Sequence, residues 1–280
     1  MNKQFGISLK KTFAAGMLLA TTVVSGLSQA ADYEPLWQDA QDRGSLRCGA
    51  AVAPPYVIRD PKTGEYSGIY VDLCREFAEQ HLGVKAEFMD TTWDNIIAGL
   101  QAGKWDISLA LNRKPKRAMA VAFSISPMYG EVSFVFNKDN SKLPEDSSKL
   151  ADFDKKGITL AVMSGTVQDQ AVTDVIKNAK ILRLPANDET RLALMSRRAD
   201  VLVDMADTNR IFAATNKDWA ETIYPQPALL KQGIANGLRK NVAWSDIEAF
   251  NIFLEEKIAK GDIVRMTEFY TEQSIANANK

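Results

Sequence analysis

Strand-like and helix-like runs alternate along most of this chain, and that alternation limits its fold more than any other feature. Short apolar runs are followed by runs with apolar residues at helical spacing, often bounded by glycine or a capping residue. The predicted strands are 45–52, 84–90, 105–111, 131–138, 157–165, 179–185 and 200–205. The predicted helices are 70–83, 92–103, 115–123, 166–178, 187–199, 206–216, 245–261 and 261–273. This pattern indicates an α/β fold with a mixed, mostly parallel sheet and helices on both faces.

The order of the elements further predicts two lobes. Residues 31–138 and 232–280 form the first lobe, and residues 139–231 form a second lobe inserted into it. An insert of this kind is joined to its host by two adjacent crossings. Two such crossings make a two-strand hinge that opens and closes a ligand cleft.

The first 30 residues have the pattern of a secretory signal peptide. Three lysines flank or precede an apolar run over 12–24, and the Ser-Gln-Ala sequence ending at Ala30 fits the rule for a cleavage site. We expect cleavage near Ala30 and Ala31 and export to the periplasm, with a retained N-terminal anchor as the alternative. No later run has the roughly 18 apolar residues of a membrane span.

The charge of the exported chain argues against two classes of partner. Removing residues 1–30 takes away three lysines and no acids, which leaves 31 basic and 35 acidic side chains and a formal net charge of −4. A mildly acidic protein has no long-range attraction for nucleic acid or for anionic lipid.

Cysteine and histidine are scarce. Cys48 falls on the first predicted strand and Cys74 on the helix after it, so an oxidising compartment allows a disulfide. Two buried thiols are an equal alternative. One histidine, His81, and two cysteines do not make a convincing zinc site, and we predict no metal and no cofactor.

Six blocks of sequence carry a family likeness. They read, in order, GEYSGIYVDLCREFAEQ, WDNIIAGLQAGKWDISLAL, PKRAMAVAFSISPMY, MSGTVQDQ, SRRADVLVD and GIANGLRK. In this order they resemble the family-3 solute-binding proteins, which are the polar amino-acid receptors of ABC importers. The resemblance covers about residues 43–270. It implies a type II periplasmic-binding-protein fold, an amino acid or related small carboxylate between the lobes, and a membrane permease as partner of a monomer.

A free amino acid is a zwitterion, so a closed site needs a cation for its carboxylate and an anion for its ammonium group. The planar guanidinium of arginine donates two parallel hydrogen bonds to a carboxylate. By the resemblance this group is Arg117, helped by Asn112 and by main-chain amides around Ala110. Thr166, at the start of the first helix of the second lobe, adds donors from the other side. The alternatives are a surface role for Arg117 and a plain helix cap for Thr166.

The resemblance assigns the ammonium group to an acid at the end of the strand over 200–205. Asp204 is the first choice and Asp207 the second. Asp204 comes one residue earlier than in the family pattern, and a one-residue slip in a strand changes the face that a side chain occupies. A purely structural carboxylate is therefore the alternative at this position.

Recognition of the ligand's side chain falls to the first lobe. Trp93 matches an aromatic residue that packs on the ligand in this family, with a core tryptophan as the alternative. Tyr56 follows the first strand, where a cleft loop is expected in such sheets. Ala53 replaces a larger stacking residue. Arg59 either binds a second carboxylate of the ligand or is simply a surface residue of the RDPKTGEYSG hairpin, and the hairpin interpretation is favoured.

Three functions compete on this sequence. A binding protein that delivers its ligand to an importer performs no chemistry and is the main prediction. An enzyme of the cyclohexadienyl-dehydratase type would need an acid in the cleft with a raised pKa. An accessory or sensory binding module would pass its ligand to a separate protein.

Overall fold

The computed structural model describes Met1, Tyr33, residues 35–144 and residues 146–278. The chain from Tyr33 onwards forms one unit. The predicted signal peptide lies outside the described residues except for Met1.

The strands are short, apart from two long ones near the middle and the end of the chain. They are β1 (Ser45–Ala50), β2 (Ile58–Arg59), β3 (Tyr66–Ser67), β4 (Lys85–Asp90), β5 (Ile107–Asn112), β6 (Ala122–Phe123), β7 (Met128–Asn137), β8 (Thr159–Met163), β9 (Lys180–Leu184), β10 (Val201–Met205), β11 (Ala220–Ile223) and β12 (Lys231–Leu238).

The helices alternate with these strands until two long helices end the described chain. They are α1 (Leu36–Arg43), α2 (Ile69–Glu76), which continues as a π-helical segment (Phe77–Leu82), α3 (Ile96–Gln101), α4 (Pro115–Ala118), α5 (Leu150–Phe153), α6 (Val167–Val175), α7 (Asn187–Met195), α8 (Ala206–Thr215), α9 (Trp244–Ala259) and α10 (Asp262–Ala278). In the described part of the chain, no helix has the length and apolar character needed to cross a membrane.

One mixed sheet runs through the molecule in the order β4-β1-β5-β12-β7-β10-β8-β9. The outer pairs are parallel: β1 pairs with β4 and β5, and β8 pairs with β9 and β10. The inner pairs, β5 with β12, β12 with β7 and β7 with β10, are antiparallel. This is the mixed α/β architecture that the alternating pattern predicts, and the antiparallel pairs of this path lie at its centre.

The long strands β7 and β12 join the two ends of this sheet. Residues 128–131 of β7 pair with β12, and residues 132–136 of the same strand pair with β10. We call the part built on β4, β1 and β5 the first lobe and the part built on β10, β8 and β9 the second lobe, with β7 and β12 between them. The two-lobe type II fold with a two-strand hinge is thus the observed fold class.

The core of the first lobe contains a disulfide. Cys48 of β1 and Cys74 of α2 are bonded to each other, and both are fully buried. Phe77 and Phe250 pack edge to face beside Trp37, which closes the other side of the same apolar cluster. Of the two alternatives that the sequence left open for the cysteines, the structure therefore has the disulfide.

The helix predicted over 115–123 is wrong in its second half. Helix α4 ends at Ala118, and Ala122 and Phe123 form β6 against Leu238 and Gly237 of β12. The apolar spacing of this stretch fits a helix, but Val121 is buried while Met119 is mostly exposed. Pairing with an available strand edge satisfies the main chain better here than another helical turn.

Candidate functional site

A narrow cavity lies where the two lobes meet. The loop after β1, Trp93 and the end of β5 line it from the first lobe, and the ends of β8 and β10 with the start of α6 line it from the second. The lining residues are Ala53, Tyr56, Trp93, Ala110, Asn112, Arg117, Met163, Thr166, Val167, Gln168, Asp204, Met205 and Ile234. The structure therefore brings together all seven site residues predicted from the sequence, namely Tyr56, Trp93, Ala110, Asn112, Arg117, Thr166 and Asp204.

Arg117 places a partly buried guanidinium at this cavity. It lies on α4, a short helix that begins with Pro115 directly after β5. Its Nη1 donates to the main-chain oxygen of Asn112 at 3.2 Å, and no carboxylate of the described residues forms an ion pair with it. Burial lowers the pKa of Arg117 to about 10, so the side chain stays protonated at neutral pH. A buried cation without an anion is unfavourable, and an anionic ligand would relieve it.

The other three cations of this run do not line the cavity. Arg113 and Lys116 are exposed. Lys114 is partly buried, and burial, followed by the charge of Arg117, lowers its pKa. Arg117 is thus the cation of the run that lines the cavity, as the resemblance implies.

Strand β5 adds a donor and an irregular backbone. Asn112 is buried, and its Nδ2 has no hydrogen-bond partner among the described residues. Ala110 has a φ of +52°, a left-handed conformation that alanine adopts only with strain. Opposite it, the pairing of β12 shifts register between Ala235 and Gly237. Such strain at a cavity wall is typical of functional sites.

Thr166 is the cap of α6. Its Oγ1 accepts from the main-chain N–H of Asp169 at 3.2 Å and donates to the main-chain oxygen of Met163 at 2.8 Å. The hydroxyl hydrogen is therefore already used inside the second lobe. What this helix start offers to a ligand is main-chain N–H groups ahead of Asp169 rather than the threonine hydroxyl.

Asp204 is a buried carboxylate at the end of β10. Its Oδ1 accepts from Gln168 Nε2 at 2.8 Å and from the main-chain N–H of Met205 at 2.7 Å, and its Oδ2 accepts from Asn187 Nδ2 at 2.8 Å. Burial raises the pKa of Asp204, against those three donors and the positive charge of Arg191. Despite its early position in the strand, Asp204 lies at the cavity wall.

Trp93 and Tyr56 supply aromatic surface to the cavity. The Nε1 of Trp93 is buried without a hydrogen-bond partner among the described residues. The hydroxyl of Tyr56 donates to Asp207 Oδ2 at 2.9 Å, so its ring rather than its hydroxyl is available to a ligand. Asp207, the second choice for an ammonium partner, is held by this bond and does not line the cavity.

The two lobes touch each other around the cavity. Besides the Tyr56–Asp207 bond, Thr208 Oγ1 donates to the main-chain oxygen of Pro54 at 2.7 Å. Gly165, with a φ of +74°, lies so near the first lobe that a Cβ would be 2.7 Å from the main-chain nitrogen of Asp94. Any residue other than glycine would be strained there and would also clash across the lobes.

Besides Ala53, five lining residues were not among the predicted ones, namely Met163, Val167, Gln168, Met205 and Ile234. Gln168 is the polar member of this group, and it holds the carboxylate of Asp204. Its position two residues after the cap of α6 was a usable signal, because the first turn of that helix was already expected at the ligand. Asn187 gave no signal beyond a possible helix cap.

Taken together, the cavity has a cation and unpaired donors on the side of the first lobe and a carboxylate on the side of the second. In the described residues, no group of three or more His, Cys, Asp or Glu side chains is arranged to hold a metal ion. His81 is exposed and stacks on Phe77, away from the lining residues. The arrangement suits a small molecule that carries both charges.

The chain is similar in sequence to bacterial proteins that are named as amino-acid-binding proteins. A Campylobacter jejuni protein provisionally named a histidine-binding protein is 27% identical over 219 residues, which are 78% of this chain and 82% of the relative. YhdW of Escherichia coli K12, provisionally named an amino-acid ABC transporter-binding protein, is 25% identical over 257 residues, which are 88% of this chain and 72% of the relative.

The fold also matches a solved structure. The crystal structure of the ancestral amino acid-binding protein AncCDT-1, described as a precursor of cyclohexadienyl dehydratase, superposes with a TM-score of 0.74 at 28% identity. The match covers 85% of this chain and all of that one. Finally, the model of the bacterial extracellular solute-binding proteins, family 3, matches residues 46–271. This chain therefore belongs to family 3 of the bacterial extracellular solute-binding proteins.

Proposed function

We propose that this protein is the periplasmic substrate-binding protein of an ABC importer and that it binds an amino acid or a related small carboxylate between its lobes. The observation that carries the proposal is Arg117, a partly buried guanidinium without an anionic partner in a cavity whose opposite wall contains the carboxylate of Asp204. A zwitterion placed between them satisfies both charges.

In this proposal the ligand carboxylate accepts from the guanidinium of Arg117, which has no ion pair with a described carboxylate, and from Asn112 Nδ2, which has no hydrogen-bond partner among the described residues. Main-chain N–H groups at the start of α6 donate from the second lobe. The ammonium group donates to Asp204, whose carboxylate is already oriented by Gln168 and Asn187. The rings of Trp93 and Tyr56 cover the apolar part of the ligand.

We also propose the functional organisation that the sequence predicts. Residues 31–138 and 232–280 are one lobe, residues 139–231 are the other, and β7 and β12 are the hinge strands. Residues 1–30 are removed during export, with cleavage near Ala30 and Ala31, and the protein acts as a monomer in the periplasm. Ligand binding stabilises the closed state, and the importer's permease binds the closed lobes.

One observation favours an enzyme as the second candidate. Asp204 is a buried carboxyl with a raised pKa at the cavity, the property that an acid catalyst of the dehydratase type needs. Against this, all three of its hydrogen-bond partners are donors, an arrangement that suits a carboxylate and not a carboxylic acid. We therefore propose binding without chemistry. Incubation with cyclohexadienyl acids, followed by NMR, separates the two, because only an enzyme converts them.

The experiment that tests the main proposal is a thermal-shift screen. Processed protein is unfolded and refolded to remove carried-over ligand and is then screened against the common L-amino acids, dicarboxylates, polyamines and aromatic acids. A true ligand at a concentration of about 100 Kd stabilises the folded state by about 2.7 kcal/mol. For a protein of this size that corresponds to a rise in Tm of about 5–10 °C.

The variants that complete the test are Arg117→Met and Arg113→Met. Removing the charge at Arg117 leaves a ligand carboxylate unpaired in the closed cavity, at a cost of about 3–5 kcal/mol, so the shift disappears. Arg113 comes from the same cationic run but is exposed, and its variant keeps the full shift. A panel in which no amino acid or carboxylate raises the Tm, or in which Arg117→Met responds like wild type, contradicts the proposal.

A further inference from the structure

A larger cleft adjoins the cavity. The carboxylate and ammonium groups of the proposed ligand do not occupy it. Its volume is about 1280 Å³, and Trp93 and Met163 line both spaces. We call it the outer cleft and define it by Arg59, Asp90, Trp93, Lys104, Asn187 and Arg191. A ligand held at Arg117 and Asp204 therefore has room to extend past Trp93 into this space.

Arg191 is an unsatisfied cation in the wall of the outer cleft. It lies on α7 with its guanidinium 6.0 Å from the ring centroid of Phe212, and its Nη2 is buried without a hydrogen-bond partner among the described residues. Its ion pair with Asp188 is 3.6 Å long, and the side chain of Asp188 is 95% exposed, so this pair is weak. Asp204, the other nearby carboxylate, already accepts from three donors.

Two more polar atoms around the outer cleft lack partners. Trp93 Nε1 is a buried donor, and Asn187 Oδ1 is a buried acceptor whose amide nitrogen is used by Asp204. Asn187 and Arg191 are four residues apart on α7, so they occupy the same face of the helix. Unpaired buried polar atoms are rare in native proteins, and these atoms are available to a polar group of a ligand.

The outer cleft is also lined by more cationic than anionic side chains. Arg59, Lys104 and Arg191 are three cations against the carboxylates of Asp90 and Asp188. Asp90 Oδ1 accepts from the hydroxyl of Tyr66 at 2.9 Å, and Asp188 is the solvated partner described above. A cationic side chain entering this cleft would approach more positive than negative groups, and like charges at close range are unfavourable.

We propose that the outer cleft is the side-chain subsite for amino acids whose side chain ends in a carbonyl or carboxylate oxygen. Arg191 Nη2 and Trp93 Nε1 donate to that oxygen, and Asn187 Oδ1 accepts from the nitrogen when the group is a carboxamide. Amino acids with a cationic side chain are excluded by Arg191 and Arg59. This proposal rests on the amino-acid-binding function proposed above, since it assigns the far end of the same ligand.

Isothermal titration calorimetry of the processed protein tests it with five ligands. The affinity for L-alanine measures the contribution of the groups around the α-carbon alone. L-Glutamine and L-glutamate add the terminal oxygen, and L-norleucine fills similar space without that oxygen. L-Lysine carries a cation. We expect L-glutamine or L-glutamate to bind at least tenfold more tightly than L-norleucine and L-lysine. The ratio of two affinities is used because it cancels any change at Asp204, which Arg191 also influences.

The matched variants are Arg191→Met and Arg198→Met. The first lowers the preference for the terminal oxygen at least tenfold, and the second, at an exposed arginine after the same helix, leaves it unchanged. Should Arg191→Met fail to fold, Trp93→Phe removes the second donor and lowers the same ratio. L-Alanine binding without any preference among the longer ligands overturns this proposal alone. Failure of all five ligands to bind, while another L-amino acid raises the Tm in the screen, also overturns this proposal alone. Only a screen in which no amino acid or carboxylate binds overturns the amino-acid function with it.

Discussion

The hydroxyl of Tyr56 in the first lobe donates to Asp207 in the second lobe at 2.9 Å. Tyr56 is buried, and burial, followed by the charge of Asp207, raises its pKa well above the ordinary value, so it remains a donor at all physiological pH values. The bond joins the two lobes beside the cavity, which Tyr56 also lines. We therefore expect it to stabilise the closed state of the proposed binding protein.

Tyr56→Phe is expected to destabilise the closed state, because it leaves the carboxylate of Asp207 without this donor. A hydrogen bond to a charged group contributes about 1.5–3 kcal/mol, so the ligand affinity falls at least tenfold. Calorimetry measures the affinity, and small-angle X-ray scattering measures the radius of gyration with and without ligand. Tyr66→Phe is the matched control, since its hydroxyl donates to Asp90 at the same distance within the first lobe. Equal losses in both variants would contradict a role in closure.

Local patterns predicted most of the fold. The alternation of strands and helices placed β1, β4, β5, β7, β8, β9 and β10 within a few residues of their observed bounds. The failure at Ala122 and Phe123 came from a contact with β12, which is more than a hundred residues away in sequence. A local pattern does not contain the position of a free strand edge, so tertiary pairing overrode it.

Part of the site was likewise predicted from the sequence, and part of it depends on tertiary packing. Arg117, Asn112 and Thr166 were predicted through the family resemblance, and the structure places all three at the cavity. The partners of Asp204 were not found. Gln168 and Asn187 are 36 and 17 residues away from Asp204 in sequence. Only the packing of α6 and α7 on the sheet brings the three side chains together.

Ala110 gives a prediction about strain at the cavity. Its φ of +52° costs about 1–2 kcal/mol for a residue with a Cβ. Ala110→Gly removes that cost but loosens the unfolded chain, so we expect a net gain of up to about 1 kcal/mol. Ala110→Val should lower the Tm, because a branched side chain tolerates this conformation less well. Thermal unfolding without ligand measures both.

The matched control is Arg197→Gly, at the other described non-glycine residue with a positive φ, 59°. Arg197 is exposed and lies outside the cavity, so its variant gains stability without a change in ligand affinity. A lower Tm for Ala110→Gly would show that the left-handed conformation carries no strain.

The disulfide is expected to stabilise the fold without touching the site. Cys48 and Cys74 are separated by 26 residues in sequence, and closing a loop of that length contributes about 3 kcal/mol in the chain-entropy model. The double variant Cys48→Ala, Cys74→Ala should therefore have a Tm about 6–12 °C lower than wild type. Its ligand affinity, measured well below that Tm, should equal the wild-type value. A large loss of affinity would place the disulfide in the binding mechanism.

Asp204 links binding to pH. Because burial raises its pKa in the folded state, the folded protein holds this proton more tightly than the unfolded chain does. The ionised group therefore destabilises the ligand-free protein at neutral pH, and that unfavourable contribution disappears as the pH falls through the raised pKa. Asp204→Asn removes this charge, but its amide nitrogen faces one of the donors, so we expect little net change in the Tm of the ligand-free protein at pH 7.

Ligand binding should show the opposite dependence on this group. An ammonium group pairs with the carboxylate and not with the carboxylic acid, so below the raised pKa Asp204 must lose its proton before it can bind an amino acid. Below the raised pKa the affinity falls by up to tenfold, about 1.4 kcal/mol, for each pH unit. Calorimetry over a descending series of pH values from pH 7 measures the change, and Asp204→Asn should bind weakly and without this slope. If the asparagine variant binds an amino acid as tightly as the wild type does at pH 7, then Asp204 does not bind the ammonium group. Its hydrogen bonds to Gln168 and Asn187 would then serve only to hold α6 and α7 against β10.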